Sequence, residues 1–136
     1  MDESERIIRG FDLPRERLAL VVEFEPFASR WRALGLTDDD LHVLQLRILR
    51  DPDAGVVAPG TNGLRKLRFA APGSGRGKSG GYRVYYLNAL EHGCLVLWAV
   101  LSKSERADLT RADRDAIAKR VTAVKKYLKA RAEGRS

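Results

Sequence analysis

The run Leu18 to Phe24, LALVVEF, is apolar and β-branched, and Pro26 cuts it short, so it predicts a strand. The apolar period then lengthens. Phe27, Trp31 and Leu34 recur at helical spacing, and Gly35 stands where a helix end favours a left-handed residue. A second helix follows at once. Thr37 before three aspartates is an N-cap with acids on the positive end of the helix dipole, and Leu41, Leu44 and Ile48 then make one apolar stripe. Asp51-Pro52 stops it, which gives an αα-hairpin.

Beyond the Gly/Pro-punctuated stretch DAGVVAPGTNG, three strand-like segments follow: 64–70, 82–87 and 94–101. The connection 88–93 is short enough for a hairpin, so the last two strands are expected to be antiparallel neighbours. Thr110 then caps a long helix whose Ile117, Val121, Val124 and Leu128 share a stripe. Its opposite face carries Lys119, Arg120, Lys125, Lys126, Lys129 and Arg131, either a solvated surface or one that meets RNA. The order is therefore β-α-α-β-β-β-α. Residues 1–17 are polar and lack a sustained period, so they read as an extension with at most a short helix, and 18–133 as the folded domain.

At 136 residues the chain has the size of one domain. No apolar run approaches the roughly 20 residues of a membrane span, and the acid-rich start has no signal-peptide h-region. A cytoplasmic protein without a membrane partner is the expectation. Cys94 lies alone within CLVLWAVL and reads as an inert core residue. Charge is more telling. The net charge of +7 and the pI near 9.9 favour a polyanionic partner. Between Ala54 and Leu90 there is no acid, while Arg65, Lys66, Arg68, Arg76, Lys78 and Arg83 all fall there.

The glycine-rich stretch GSGRGKSGG, 73–81, contains the dinucleotide-binding glycine spacing and the end of a P-loop. Both readings fail on context. Pro72 stands where a P-loop needs its first glycine, and YRVYY after the loop predicts a strand where either motif needs a helix. What remains is a basic loop between two cation-bearing strands. Strand alternation puts Lys66 and Arg68 on one face, with Arg65 and Leu67 on the other, and Arg83 joins one of these sets. Burying unpaired cations is costly, so a face carrying Lys66, Arg68 and Arg83 should open to a groove. With Arg76 and Lys78 above it, such a groove suits a phosphate backbone.

Three blocks, GTNGLRKLR at 60–68, GKSGGYRVYY at 77–86 and SKSE with DLT at 102–110, resemble the RelE/ParE superfamily of bacterial toxins, closest to its HigB-like branch. With the helical hairpin, the resemblance covers about residues 20–125. It implies a small α+β fold, an antiparallel sheet of about four strands with an N-terminal helical hairpin and a C-terminal helix. It also implies an endonuclease that cuts mRNA on translating ribosomes and is held inactive by a cognate antitoxin protein. The positions matching the family's working residues are Lys66, Arg68, Arg83 and Lys103, with Arg65, Arg76, Lys78 and Tyr82 as RNA contacts. Two departures stand out. Ser104 replaces an arginine of the best-known RelE pattern, and Thr110 replaces a tyrosine proposed to assist proton transfer.

Such an enzyme needs neither metal nor cofactor, because RNA can cut itself once its 2′-hydroxyl is deprotonated and aimed, and the charge on the phosphorane is stabilised. His42 and His92 lie far apart in sequence and read as surface residues. Arginines stay protonated, so Arg68 and Arg83 are assigned to the phosphate. Lys66 is the candidate base, a lysine role that requires neighbouring cations, with Tyr82, Tyr85 or Tyr86 as substitutes. Lys78 and Lys103 would position the backbone or protonate the leaving oxygen. The competing readings are a ParE-like poison of DNA gyrase and a noncatalytic nucleic-acid-binding domain.

Overall fold

The computed structural model describes residues 5–7, 20–72, 81–102, 104–105 and 109–134. The chain is α+β, and its described residues form a mixed sheet and three α-helices: β1 (Glu5–Ile7), β2 (Leu20–Glu23), α1 (Glu25–Ala33), α2 (Asp38–Arg50), β3 (Val56–Val57), β4 (Arg65–Phe69), β5 (Tyr82–Ala89), β6 (Cys94–Ser102) and α3 (Arg111–Ala132). The strands lie in the order β1-β2-β6-β5-β4-β3.

The helices begin where local chemistry directs. Thr37 and Asp40 form a reciprocal capping box at α2, Thr37 Oγ1 accepting from the Asp40 N–H at 3.0 Å and Asp40 Oδ2 from the Thr37 N–H at 3.0 Å. Thr110 and Asp113 repeat the device at α3. Gly35, at φ 78°, ends α1 in the left-handed region. The predicted stripe Leu41, Leu44 and Ile48 is buried, as are Val121, Leu128 and Cys94.

The sheet departs from the sequence expectation in two ways. It is mixed, because β2 pairs in parallel with β6, from Leu20↔Cys94 to Glu23↔Leu97. The helical hairpin carries the chain to the far edge, and the antiparallel run β4, β5, β6 brings it back beside β2 pointing the same way. Among the described residues it also has six strands rather than about four. Two short edge strands account for the difference. Val56–Val57 pairs with β4, and Glu5–Ile7, within the segment read as an extension with at most a short helix, pairs with β2. Neither has an alternating run long enough to announce itself; each exists because a longer neighbour offers unpaired backbone groups.

Two cores flank the sheet. On one face Phe27 and Trp31 of α1 and Leu41, Leu44 and Ile48 of α2 pack on Leu67, Phe69, Tyr82, Val84 and Tyr86. On the other, Val121 and Leu128 of α3 pack on Tyr85, Leu87, Val96 and Cys94. Gln45 is enclosed on the hairpin side with no hydrogen-bond partner for its amide among the described residues.

Candidate nucleic-acid interface

The turn that delivers β4 is pinned from both sides. Asn62, at φ 61°, and Gly63, at φ 106°, bend the chain back, and the buried Thr61 closes the bend, donating to Ala58 O at 2.7 Å and accepting from the Leu64 N–H at 3.1 Å. Lys125 of α3 donates to Asn62 O at 2.7 Å, and Asn62 Nδ2 donates to Thr122 Oγ1 at 2.9 Å. The GTNG sequence is thus a docking point for α3, and Lys125 belongs to that contact rather than to an open basic face.

Alternation along β4 then sorts its cations. Lys66 and Arg68 are exposed, whereas Leu67 and Phe69 are buried against the helical hairpin. Lys66 pairs across the strands with Tyr85, and Arg68 with Arg83, so these four residues form two adjacent rungs on the α3 side of the sheet.

Beside these rungs a groove of about 280 Å³ is lined by Val56, Val57, Ala58, Pro59, Lys66, Tyr85, Leu109 and Arg114. Arg114, from the first turn of α3, is the functional candidate that the sequence did not single out, since nothing local distinguishes it among the cations of that helix. Its stem passes over Gly60, where an added Cβ would lie 3.4 Å from Arg114 Cδ. The first turn of α3 therefore closes the groove that β4 and β5 open.

Two residues assigned to RNA contact have other positions. Arg65 lies on the hairpin side with Leu67 and is held by the 53–55 loop, donating to Gly55 O at 2.7 Å and pairing with Asp53 Oδ1 at 3.1 Å. Tyr82 is 2% exposed in the hairpin-side core. A one-residue step along a strand reverses the face, and these two side chains are thereby directed away from Lys66, Arg68 and Arg83. Arg76, Lys78 and Lys103 lie outside the described residues.

The three tyrosines of β5 also separate. Tyr86 is fully buried on the hairpin side; its hydroxyl donates to Pro52 O at 2.8 Å and accepts from the Gly55 N–H at 2.9 Å. Burial raises its pKa, partly offset by the Gly55 hydrogen bond and by Arg65. Gly55 is the residue this contact requires, since a Cβ there would meet Tyr86 Cε1 at 2.8 Å. Tyr85 alone of the three lines the groove. His42 lies on α2 and His92 in the turn before β6, and neither lines the groove.

Ser102 and Glu105 close the end of β6. Glu105 accepts from the Ser102 N–H at 2.9 Å and from the guanidinium of Arg30 on α1. The Ser102 backbone hydrogen bond, followed by that of Arg30, holds the Glu105 carboxyl at about 2, below its usual 4.5. The Ser104 hydroxyl lies 3.1 Å from that of Ser102.

No protein-family model matches the chain. Among the described residues, no helix is long and apolar enough to cross a membrane, and no cluster of three or more His, Cys, Asp or Glu side chains is placed to hold a metal ion.

Proposed function

We propose that this protein is a toxin of the RelE-like kind, an endoribonuclease that cuts mRNA on translating ribosomes and is restrained by a cognate antitoxin. The observation that carries the reading is the pairing of Lys66 with Tyr85 and of Arg68 with Arg83 on one face, beside a groove that Arg114 completes. A phosphodiester laid over this face meets guanidinium groups at its nonbridging oxygens, where charge grows as the 2′-oxygen attacks phosphorus. Lys66, as the free amine, takes the proton of the 2′-hydroxyl and becomes the ammonium, with the Tyr85 phenolate opposite it as the alternative acceptor, and the ammonium of Lys103 or Lys78 protonates the departing 5′-oxygen. The bond formed is 2′-oxygen to phosphorus and the bond broken is phosphorus to 5′-oxygen. The products are a 2′,3′-cyclic phosphate and a 5′-hydroxyl.

The net charge of +7 supports a polyanionic partner, and the acid-free interval 54–90 supplies three of the four residues in the two rungs with their charge. Mapping of mRNA 5′ ends after expression, with and without translating ribosomes, tests the reading. New 5′-hydroxyl ends that require ribosomes are expected. Cleavage leaving a 3′-hydroxyl overturns the mechanism, and growth arrest with intact mRNA and trapped DNA gyrase overturns the target.

A further inference from the structure

A second cavity, of about 400 Å³, adjoins the cationic groove and shares Tyr85 and Leu109 with it. Its other walls are Leu64, Trp98, Ala99, Leu101, Asp113 and Ile117. The cavity is apolar, and Asp113 at its rim already accepts the Thr110 N–H at 2.9 Å, binding that carboxylate to the cap of α3.

Trp98 is aimed into this space by a break in the sheet. Along β5 and β6 the register runs Tyr85↔Ala99 and then Tyr86↔Leu97, which leaves Trp98 as an extra, unpaired residue of β6. Such a bulge turns two successive side chains toward one face, and here Trp98 and Ala99 both line the cavity. An indole with this much apolar surface ordinarily lies in a core, as Trp31 does at 3% exposed; Trp98 stays half-buried. Its ring is braced from behind by Phe24, with centroids 4.6 Å apart and planes inclined at 52°, and the Arg120 guanidinium lies 6.0 Å from the Phe24 ring.

A cationic groove continuous with an apolar, aromatic-walled cavity matches a nucleotide, which carries its charge on the phosphate and a flat, weakly polar surface on the base. We propose that this cavity receives one unstacked base of the RNA strand, stacked against Trp98, while the adjoining phosphate lies over Lys66, Arg68 and Arg83. Trp98 is thereby a specificity-determining residue, selecting by ring area and shape rather than by charge. The inference rests on the RNA reading of the cationic face.

The test uses the full chain and a fluorescent eight-nucleotide RNA with 2′-O-methyl sugars, which cannot be cut, together with copies made abasic at one position at a time. One abasic position is expected to weaken binding roughly tenfold, the size of one lost stacking contact. Trp98→Leu, which keeps an apolar side chain without a flat ring, should weaken the intact strand by a similar factor and leave the affinity for that abasic strand unchanged. If every abasic strand binds as tightly as the intact one, while Lys66→Ala with Arg83→Ala still abolishes binding, the base cavity is overturned and the RNA reading survives. If binding is indifferent to Lys66 and Arg83, both are overturned.

Discussion

The two faces of β4 and β5 are made from alternate residues of the same strands, yet they do opposite work. On the hairpin side Leu67, Phe69, Tyr82, Val84 and Tyr86 are closed off by α1 and α2. On the other side Lys66 and Tyr85 line a groove, with the Arg68–Arg83 pair on the same face, because α3 buries its stripe at Val121 and Leu128 and leaves a cavity under its first turns. Polar groups on the closed face answer to one another, as Tyr86 does to Pro52 and Gly55. The open face instead sets Arg68 opposite Arg83, two rungs from Lys66 and Tyr85. On the proposed reading stability belongs to one face and function to the other, so substitutions on each should differ in kind.

Phe27→Ala should have the largest effect on the closed face. The ring is fully buried, and its loss is expected to cost about 3–5 kcal/mol in denaturant unfolding. On the open face, Arg83→Ala should leave the unfolding midpoint nearly unchanged while cutting the single-turnover rate of RNA cleavage roughly 10²–10³-fold, about 2.7–4 kcal/mol of transition-state stabilisation. A loss of stability equal to that of Phe27→Ala would erase the contrast. Tyr86→Phe tests the polar part of the closed face. It leaves the Gly55 N–H and Pro52 carbonyl without their partner and should cost about 1–3 kcal/mol in the same unfolding assay, with activity retained at full occupancy of the fold.

Gln45→Leu should act in the opposite direction. The amide is enclosed without a hydrogen bond among the described residues, so an apolar replacement of similar size is expected to raise stability by about 1 kcal/mol, read as a higher unfolding midpoint. The smallest effect belongs to Glu105, which ties the end of β6 to α1. Its folded pKa of about 2 lies below the usual 4.5, so its contribution is fully present above about 4.5 and is lost as pH falls toward about 2. Glu105→Gln should flatten the acid limb of the stability profile between those values and leave neutral-pH activity in place.

Much of the fold could be read from the chain because its cues are local. Thr37 and Thr110 start helices through hydrogen bonds spanning three residues, and Gly35 ends one through its own φ. The strand pattern YRVYY after the glycine-rich stretch is likewise local, and β5 lies there. The site was legible in part. Lys66, Arg68 and Arg83 share the face that alternation assigned to the first two, whereas Arg65 and Tyr82 fall on the other.

The sequence by itself determined the helices, their caps, the three long strands of the meander and the concentration of cations between residues 54 and 90, because each of these is written in neighbouring residues. Tertiary structure decided the parallel pairing of β2 with β6, the choice of Tyr85 over Tyr82 and Tyr86, the approach of Arg114, and the bulge that turns Trp98 outward. Those depend on which face a distant helix covers and on how strands register across the sheet, and no short-range pattern carries that information.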